Sequence, residues 1–228
     1  MDDINESEAL VLHCLGNDRA NSIWEAGLGL QKGWEKPSHK DSRKVKEDWI
    51  KSKYMWKGFI AYSPEDGREW NAREKKFSNL IYEAARNADI YRIAEGIAKG
   101  GSLEWKNESE GGKTALHICA TSTAPVAERT KLETNKYIAN KKCGISFNEL
   151  DSMIPIDDDN DDGEEKDGKE GENDGCLARI VCAELLIQNG AKIDATDGNL
   201  QSVLDCSLLE DSQRDMIEYL AEKVKIAK

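Results

Sequence analysis

A Gly-Lys-Thr triplet at residues 112–114 is the first hint of chemistry in this chain. The same triplet ends the loop whose backbone N–H groups wrap phosphates while its Lys reaches them. That loop needs a glycine where this sequence has Asn107, and residues 102–110 are too polar to be the apolar strand that precedes it. Gly112, Lys113 and Thr114 therefore read as a turn. A second candidate, Asp158, Asn160 and Asp162 followed by Gly163, matches the start of a calcium-binding loop. The position that must supply a bidentate glutamate is Lys169, and no amphipathic helices flank it, which leaves diffuse cation attraction.

Histidine and cysteine give little more. His13 sits beside Cys14, but adjacent helical residues point in different directions and no further ligands are spaced nearby. Cys14, Cys119, Cys143, Cys176, Cys182 and Cys206 are scattered without a C-x-x-C pair, so the sequence encodes neither a zinc knuckle nor a disulfide framework. Buried, reduced thiols are expected. No metal ligands and no triad or acid–base pair can be assigned from spacing. Residues 31–57 hold nine Lys and Arg against four acids, interleaved with Trp34, Trp49, Tyr54 and Trp56. A nucleic-acid surface has that composition. The spacing of Val45, Trp49, Ile50 and Tyr54 fits a helix packing face with solvated lysines, so no nucleic-acid partner is expected; the acidic insertion described below or an acidic partner fits this stretch as well.

The elements that must position these residues are helices. Ser7 can cap a run through Leu10, Val11 and Leu15 that stops at Gly16, and Asn17 can cap a run through Ala20, Ile23 and Trp24. Ser42 can begin a third helix with Val45, Trp49, Ile50, Tyr54 and Met55 near one side, ending around Gly58. Residues 63–78 read as a linker. The formal net charge is −12, but residues 157–174 contain eleven Asp and Glu against two Lys, a local −9, which leaves −3 for the rest. That tract has no apolar residue and should be disordered, since it cannot offset the entropy of ordering. No stretch approaches the roughly 20 apolar residues of a membrane span, and the acidic start Met1-Asp2-Asp3 is unlike a targeting segment, so a cytoplasmic protein with no direct membrane insertion is expected.

Internal repetition begins near residue 79. Ankyrin units run about 33 residues, with a Thr-Pro-Leu-His-x-Ala opening and a later Gly-Ala turn. Thr114, Leu116 and His117 reproduce the opening, and the matching ending, Gly190-Ala191, lies far downstream. An insertion at about 121–177 splits this unit, and a helix is expected within it from Val126 to Asn140. Weaker units open at Leu80-Ile81 and Ser202-Val203, giving about three repeats over 79–228 and an all-α fold. Three units are close to the minimum for a stable stack.

Gly16-Asn17, Asn21, Trp24-Glu25, Lys36-Pro37, Trp49-Ile50, Lys53-Tyr54 and Phe59 together resemble the C-terminal half of an ArfGAP domain. With the repeats, the chain resembles the family of Arf GTPase-activating proteins with coiled-coil, ankyrin repeat and PH domains. The likeness runs over roughly residues 7–60 and 79–226. It implies a first domain at 1–62, of which Gly16, Asn17, Asn21, Trp24, Glu25, Lys53 and Tyr54 are structural signature residues. Binding of a protein partner through the repeats, an Arf-family GTPase among the candidates, is implied too, as is a place in membrane traffic, peripheral to endosomal or plasma membranes through partners. Family activity depends on a four-cysteine zinc finger and a catalytic arginine that come ahead of the matched segment, and this sequence holds neither. The resemblance therefore implies a chain without zinc, without a catalytic residue and without GTPase-activating activity. Arg19 stands at a position the family does not use for catalysis. The alternative is that the chain forms the C-terminal part of a complete Arf GTPase activator.

Overall fold

The computed structural model describes residues 4–142, 171–210 and 212–226. In chain order the α-helices are α1 (Glu6–Leu15), α2 (Asn17–Trp24), α3 (Arg43–Ile50), α4 (Trp70–Arg86), α5 (Ile90–Ala98), α6 (Ala115–Thr121), α7 (Glu128–Lys142), α8 (Gly171–Gln188), α9 (Val203–Leu209) and α10 (Arg214–Ile226). Among the described residues extended pairing is confined to two isolated bridges, Asn107 with Lys113 and Thr196 with Ser202. The chain is all-α.

Three helix pairs form the stack. Each of α4–α5, α6–α8 and α9–α10 is a packed pair too short to bury its own apolar face. The first helices of the pairs touch in the order α4, α6, α9, and the second helices in the order α5, α8, α10. Ile81, Tyr82, Ile90, Ile93, Leu116, Cys119, Cys182, Leu186, Val203, Met216 and Leu220 form one continuous core between them. Local signals agree with the starts of these helices: Asp89 Oδ1 accepts from the N–H groups of Tyr91 and Arg92, and Ser202 forms a reciprocal capping box with Asp205.

The split unit is joined across the insertion. Helix α7 lies against α1 and α8. It is tied to the α4–α5 turn by Ala127 N–H donating to Asn87 O at 2.7 Å and by Ile90 N–H donating to Thr130 Oγ1 at 3.2 Å. The Arg179 guanidinium of α8 donates to Arg86 O at 3.0 Å and to Ala124 O. Helix α1 packs on α5, α7 and α8, and Leu10, Val11 and Cys14 belong to the same core as the repeats.

Several details differ from the sequence reading. Asn5, not Ser7, caps α1, because Glu8 three residues on can answer it: Glu8 N–H donates to Asn5 Oδ1 at 2.9 Å and Asn5 N–H to Glu8 Oε2 at 3.0 Å. Gly16 occupies the cap position of α2, and Asn17 is already helical. Helix α4 starts at Trp70, inside the expected linker, since Arg73 and Lys76 anchor its first turns to Gly67 O and Asp66. Helix α3 stops at Ile50 and continues as a π turn over Lys51–Met55. Of its expected apolar face only Trp49 is buried, while Val45, Ile50, Tyr54 and Met55 are exposed. The wider turn shifts the register, so Ser52 and Lys53 point inward instead. The expected helix within the insertion is α7. Residues 157–170 of the acidic tract and the calcium-loop match lie outside the described residues, and residues 171–174 fall in the first turn of α8.

Candidate protein-interaction surface

Two finger-like turns, each closed by an isolated bridge, touch one another between successive helix pairs. The first, between α5 and α6, is closed by the Asn107–Lys113 bridge, with Asn107 N–H donating to Lys113 O at 2.9 Å. The second, between α8 and α9, is built on Asp197, which is buried while its Oδ1 accepts from Asn199 N–H at 2.8 Å and Gln201 N–H at 2.9 Å. The fingers touch backbone to backbone: Gly198 N–H donates to Gly111 O at 2.7 Å, and Lys106 Nζ donates to Thr196 O. Lys113, the residue a phosphate loop would use, is instead paired with Glu210.

Thr114, Leu116 and His117 hold the two fingers in register. Leu116 and His117 are fully buried. Thr114 N–H donates to His117 Nδ1 at 3.3 Å, which leaves Nε2–H to donate to Gln201 O at 3.3 Å in the next finger. Gly190 adopts φ +101° just beyond α8, with nothing within 4 Å of an added Cβ, and Ala191 N–H returns to Leu186 O at 3.0 Å. At the tip of the second finger stands Leu200, which is 82% exposed and held at φ 62°. A leucine rarely takes that backbone conformation, which costs about 1–2 kcal/mol. The sequence reading passed over Leu200; its only signal was a large apolar residue closing an Asp-Gly-Asn turn.

The residues that carry the ArfGAP resemblance converge elsewhere. Lys53, buried by the π turn, donates to Asn21 Oδ1 and to Glu25 Oε1 at 2.8 Å, while Lys36 reaches Glu25 Oε2 at 3.2 Å. Burial acts to raise the Glu25 carboxyl, but the two ammonium groups outweigh it and hold it below the usual carboxylate range. The Trp24 and Tyr54 rings lie 5.2 Å apart, and Gly27 N–H donates to Phe59 O at 2.7 Å. Gly16 and Asn17 stand apart from this cluster, at the joint between α1 and α2. These contacts hold α2 to the π turn; they frame no open reactive group.

Other candidates for chemistry are committed to packing. The Arg19 guanidinium lies 4.9 Å over the Tyr91 ring and 3.1 Å from Glu133, joining α2 to α5 and α7. Zinc ligation requires thiolates converging on one point. Cys14, Cys119, Cys176, Cys182 and Cys206 are buried on α1, α6, α8 and α9, and burial pushes the Cys14 and Cys119 thiols up to about 12. Among the described residues no three His, Cys, Asp or Glu side chains converge as a metal site, and no helix is long and apolar enough to cross a membrane.

The histidines predict a pH dependence. Burial lowers the pKa of both His117 and His13 from the ordinary 6.5. The unfolded chain therefore binds protons that the native chain refuses. The associated stability is present above about pH 6.5 and is lost as pH falls toward the depressed native values. The melting temperature is expected to drop between pH 7.5 and 5, before carboxylates such as Asp66, held at about 2, begin to protonate. In His117→Asn the same scan should be flatter, and an equal slope in the variant would refute the assignment.

No family model matches the chain. It is similar to the human protein Arf-GAP with coiled-coil, ANK repeat and PH domain-containing protein 3, with 40% identity over 78 residues. That match takes in 30% of this chain and spans 9% of the length of the relative.

Proposed function

We propose that this chain is a protein-interaction module of the Arf-GAP and ankyrin-repeat type that does not itself activate a GTPase. The observation that carries the reading is the pair of interlocked fingers presenting Leu200, an exposed leucine kept in a costly backbone conformation. Strain of this kind persists where the surroundings enforce it and clusters at binding positions. The similarity to a protein named for Arf-GAP and ANK repeats supports the same reading. An Arf-family GTPase is one candidate partner, and a cytoplasmic site beside endosomal or plasma membranes follows from that proposal. Zinc and an arginine finger have no place in it; such an arginine is worth ~10³ to 10⁵ in rate where it acts.

Leu200→Asn tests whether the finger is kept for binding. Asparagine tolerates the left-handed region, so urea unfolding should show a gain of about 1 kcal/mol. Proteins that co-purify with the wild-type chain should be lost from Leu200→Asp and retained by Leu132→Asp, an exposed leucine on α7. Unchanged recovery with Leu200→Asp would remove the fingers from the interaction. The second reading, a portion of a complete Arf GTPase activator, draws on the small share of the relative that the match spans. Single-turnover GTP hydrolysis by an Arf-family GTPase separates the two: no acceleration is expected, and acceleration with stoichiometric zinc would establish the second.

A further inference from the structure

The π turn after α3 has a consequence on the surface as well as beneath it. Trp56 N–H donates to Lys51 O at 3.0 Å, the i to i+5 bond of that turn. Burying Lys53 forces its neighbours outward, so that Tyr54, Met55 and Trp56 are 47%, 71% and 68% exposed, and Ile50, one turn earlier, is 54% exposed. Helical spacing puts Ile50 beside Tyr54 and Met55. The knob has a firm base, since Trp49 stacks on Phe59 with ring centroids 4.7 Å apart and Tyr54 leans on Trp24. Its surroundings are basic: residues 43–57 contain Arg43, Lys44, Lys46, Lys51, Lys53 and Lys57 against Glu47 and Asp48, in a chain of net charge −12. Lys44 and Lys51 are exposed, and no carboxylate among the described residues stands within ion-pair distance of either.

We propose that Ile50, Tyr54, Met55 and Trp56 form a docking knob for a protein partner that offers an apolar cleft with an acidic rim. Large apolar side chains left exposed together in one short segment mark interaction surfaces. Full burial of such a side chain in a protein cleft is more favourable than placing a lysine beside an anionic membrane. Of the lysines in this segment, Lys44, Lys46, Lys51 and Lys57 have no carboxylate partner among the described residues, and seating the apolar side chains in a protein cleft contributes more than these charges gain at a bilayer surface. The acidic rim follows from charge complementarity, because Lys44 and Lys51 flank the knob and pair with no carboxylate among the described residues. The surface is separate from the finger turns and does not depend on them.

The test selects a phage-displayed random peptide library against the full chain and resynthesises the peptides that bind. The expected peptides combine Asp or Glu with Leu, Phe or Trp. Trp56→Ala should weaken them at least about tenfold, Met55→Ser and Lys51→Glu should weaken them too, and Leu200→Asp should leave them unchanged. The substituted side chains are exposed, so circular dichroism melting should match the wild type. Four results would overturn the proposal: selected peptides without acidic bias, binding indifferent to Trp56→Ala, adsorption to phosphatidylserine-containing vesicles with the same residue dependence, or self-association in sedimentation that Trp56→Ala abolishes.

Discussion

Replacing Glu184 with alanine lowers the free energy of unfolding by about 3–5 kcal/mol, the cost of breaking a buried ion pair from one side. Glu184 is 1% exposed, and its Oε2 is the point where three helices meet. Ser7 Oγ of α1 lies 2.8 Å away, and Tyr219 Oη and Lys223 Nζ of α10 each lie 2.7 Å away. Its Oε1 accepts from Gln188 at 3.1 Å. Burial acts to raise the carboxyl, yet these donors hold it below the ordinary range. Alanine would leave the Lys223 ammonium and the Tyr219 hydroxyl without this acceptor, while the Ser7 hydroxyl keeps Asn5 Oδ1 at 2.8 Å. Glu184→Gln, which keeps the shape and an acceptor, should cost less. A globular domain has only about 5–15 kcal/mol in total, so urea midpoints should separate the three proteins clearly. A loss under about 1 kcal/mol for the alanine variant would show that the carboxylate does not join the helices.

Gly101→Val should be comparably damaging for a different reason. A Cβ at Gly101 would stand 2.6 Å from the Phe77 carbonyl carbon and 2.7 Å from its oxygen, both backbone atoms of α4. No rotamer change relieves that contact, so the turn after α5 must lift off α4, and Ser102 N–H loses its 2.8 Å bond to Ser78 Oγ. Overpacking of this kind costs about 1–3 kcal/mol, and a clash with backbone belongs at or above the top of that range. Gly190→Ala is the control. Open space surrounds Gly190, so only its positive φ is penalised, by about 1 kcal/mol. If the two substitutions cost the same, close approach of the backbones is not what selects glycine at 101.

The contrast shows how much the sequence could reveal. Helices α5, α6 and α9 were readable because apolar residues at helical spacing sit between Gly, Asp, Ser and Thr stop and start signals. The start of α8 at Gly171 was not, since Gly, Glu, Asn and Asp are poor or acidic helix residues that local propensity assigns elsewhere. Trp49, Ile50 and Tyr54 have the spacing of a packing face, yet only Trp49 packs inward; across the π turn Ser52 and Lys53 take the inward positions, with Lys53 meeting Asn21 and Glu25, and Tyr54 stays exposed. The candidate surface was half visible. Thr114 and His117 stood in a recognisable pattern, but their reach to Gln201 crosses the insertion and no periodicity encodes it. Glu184 looked like an ordinary polar residue of an amphipathic helix. Its partners are 35, 39 and 177 positions away, and only three-dimensional packing collects them.

That last separation sets the order in which the molecule can be completed. Ser7 precedes Glu184 by 177 residues. At a synthesis rate of about 5–20 residues per second, α1 spends roughly 10–35 s outside the ribosome before α8 exists to receive it. During that interval α1 can rest only on α5 and, once it is made, on α7. Helix α1 thus completes its packing only late, and a ribosome that stalls between α7 and α8 releases a chain in which α1 can rest on α5 and α7 but lacks its seat on α8.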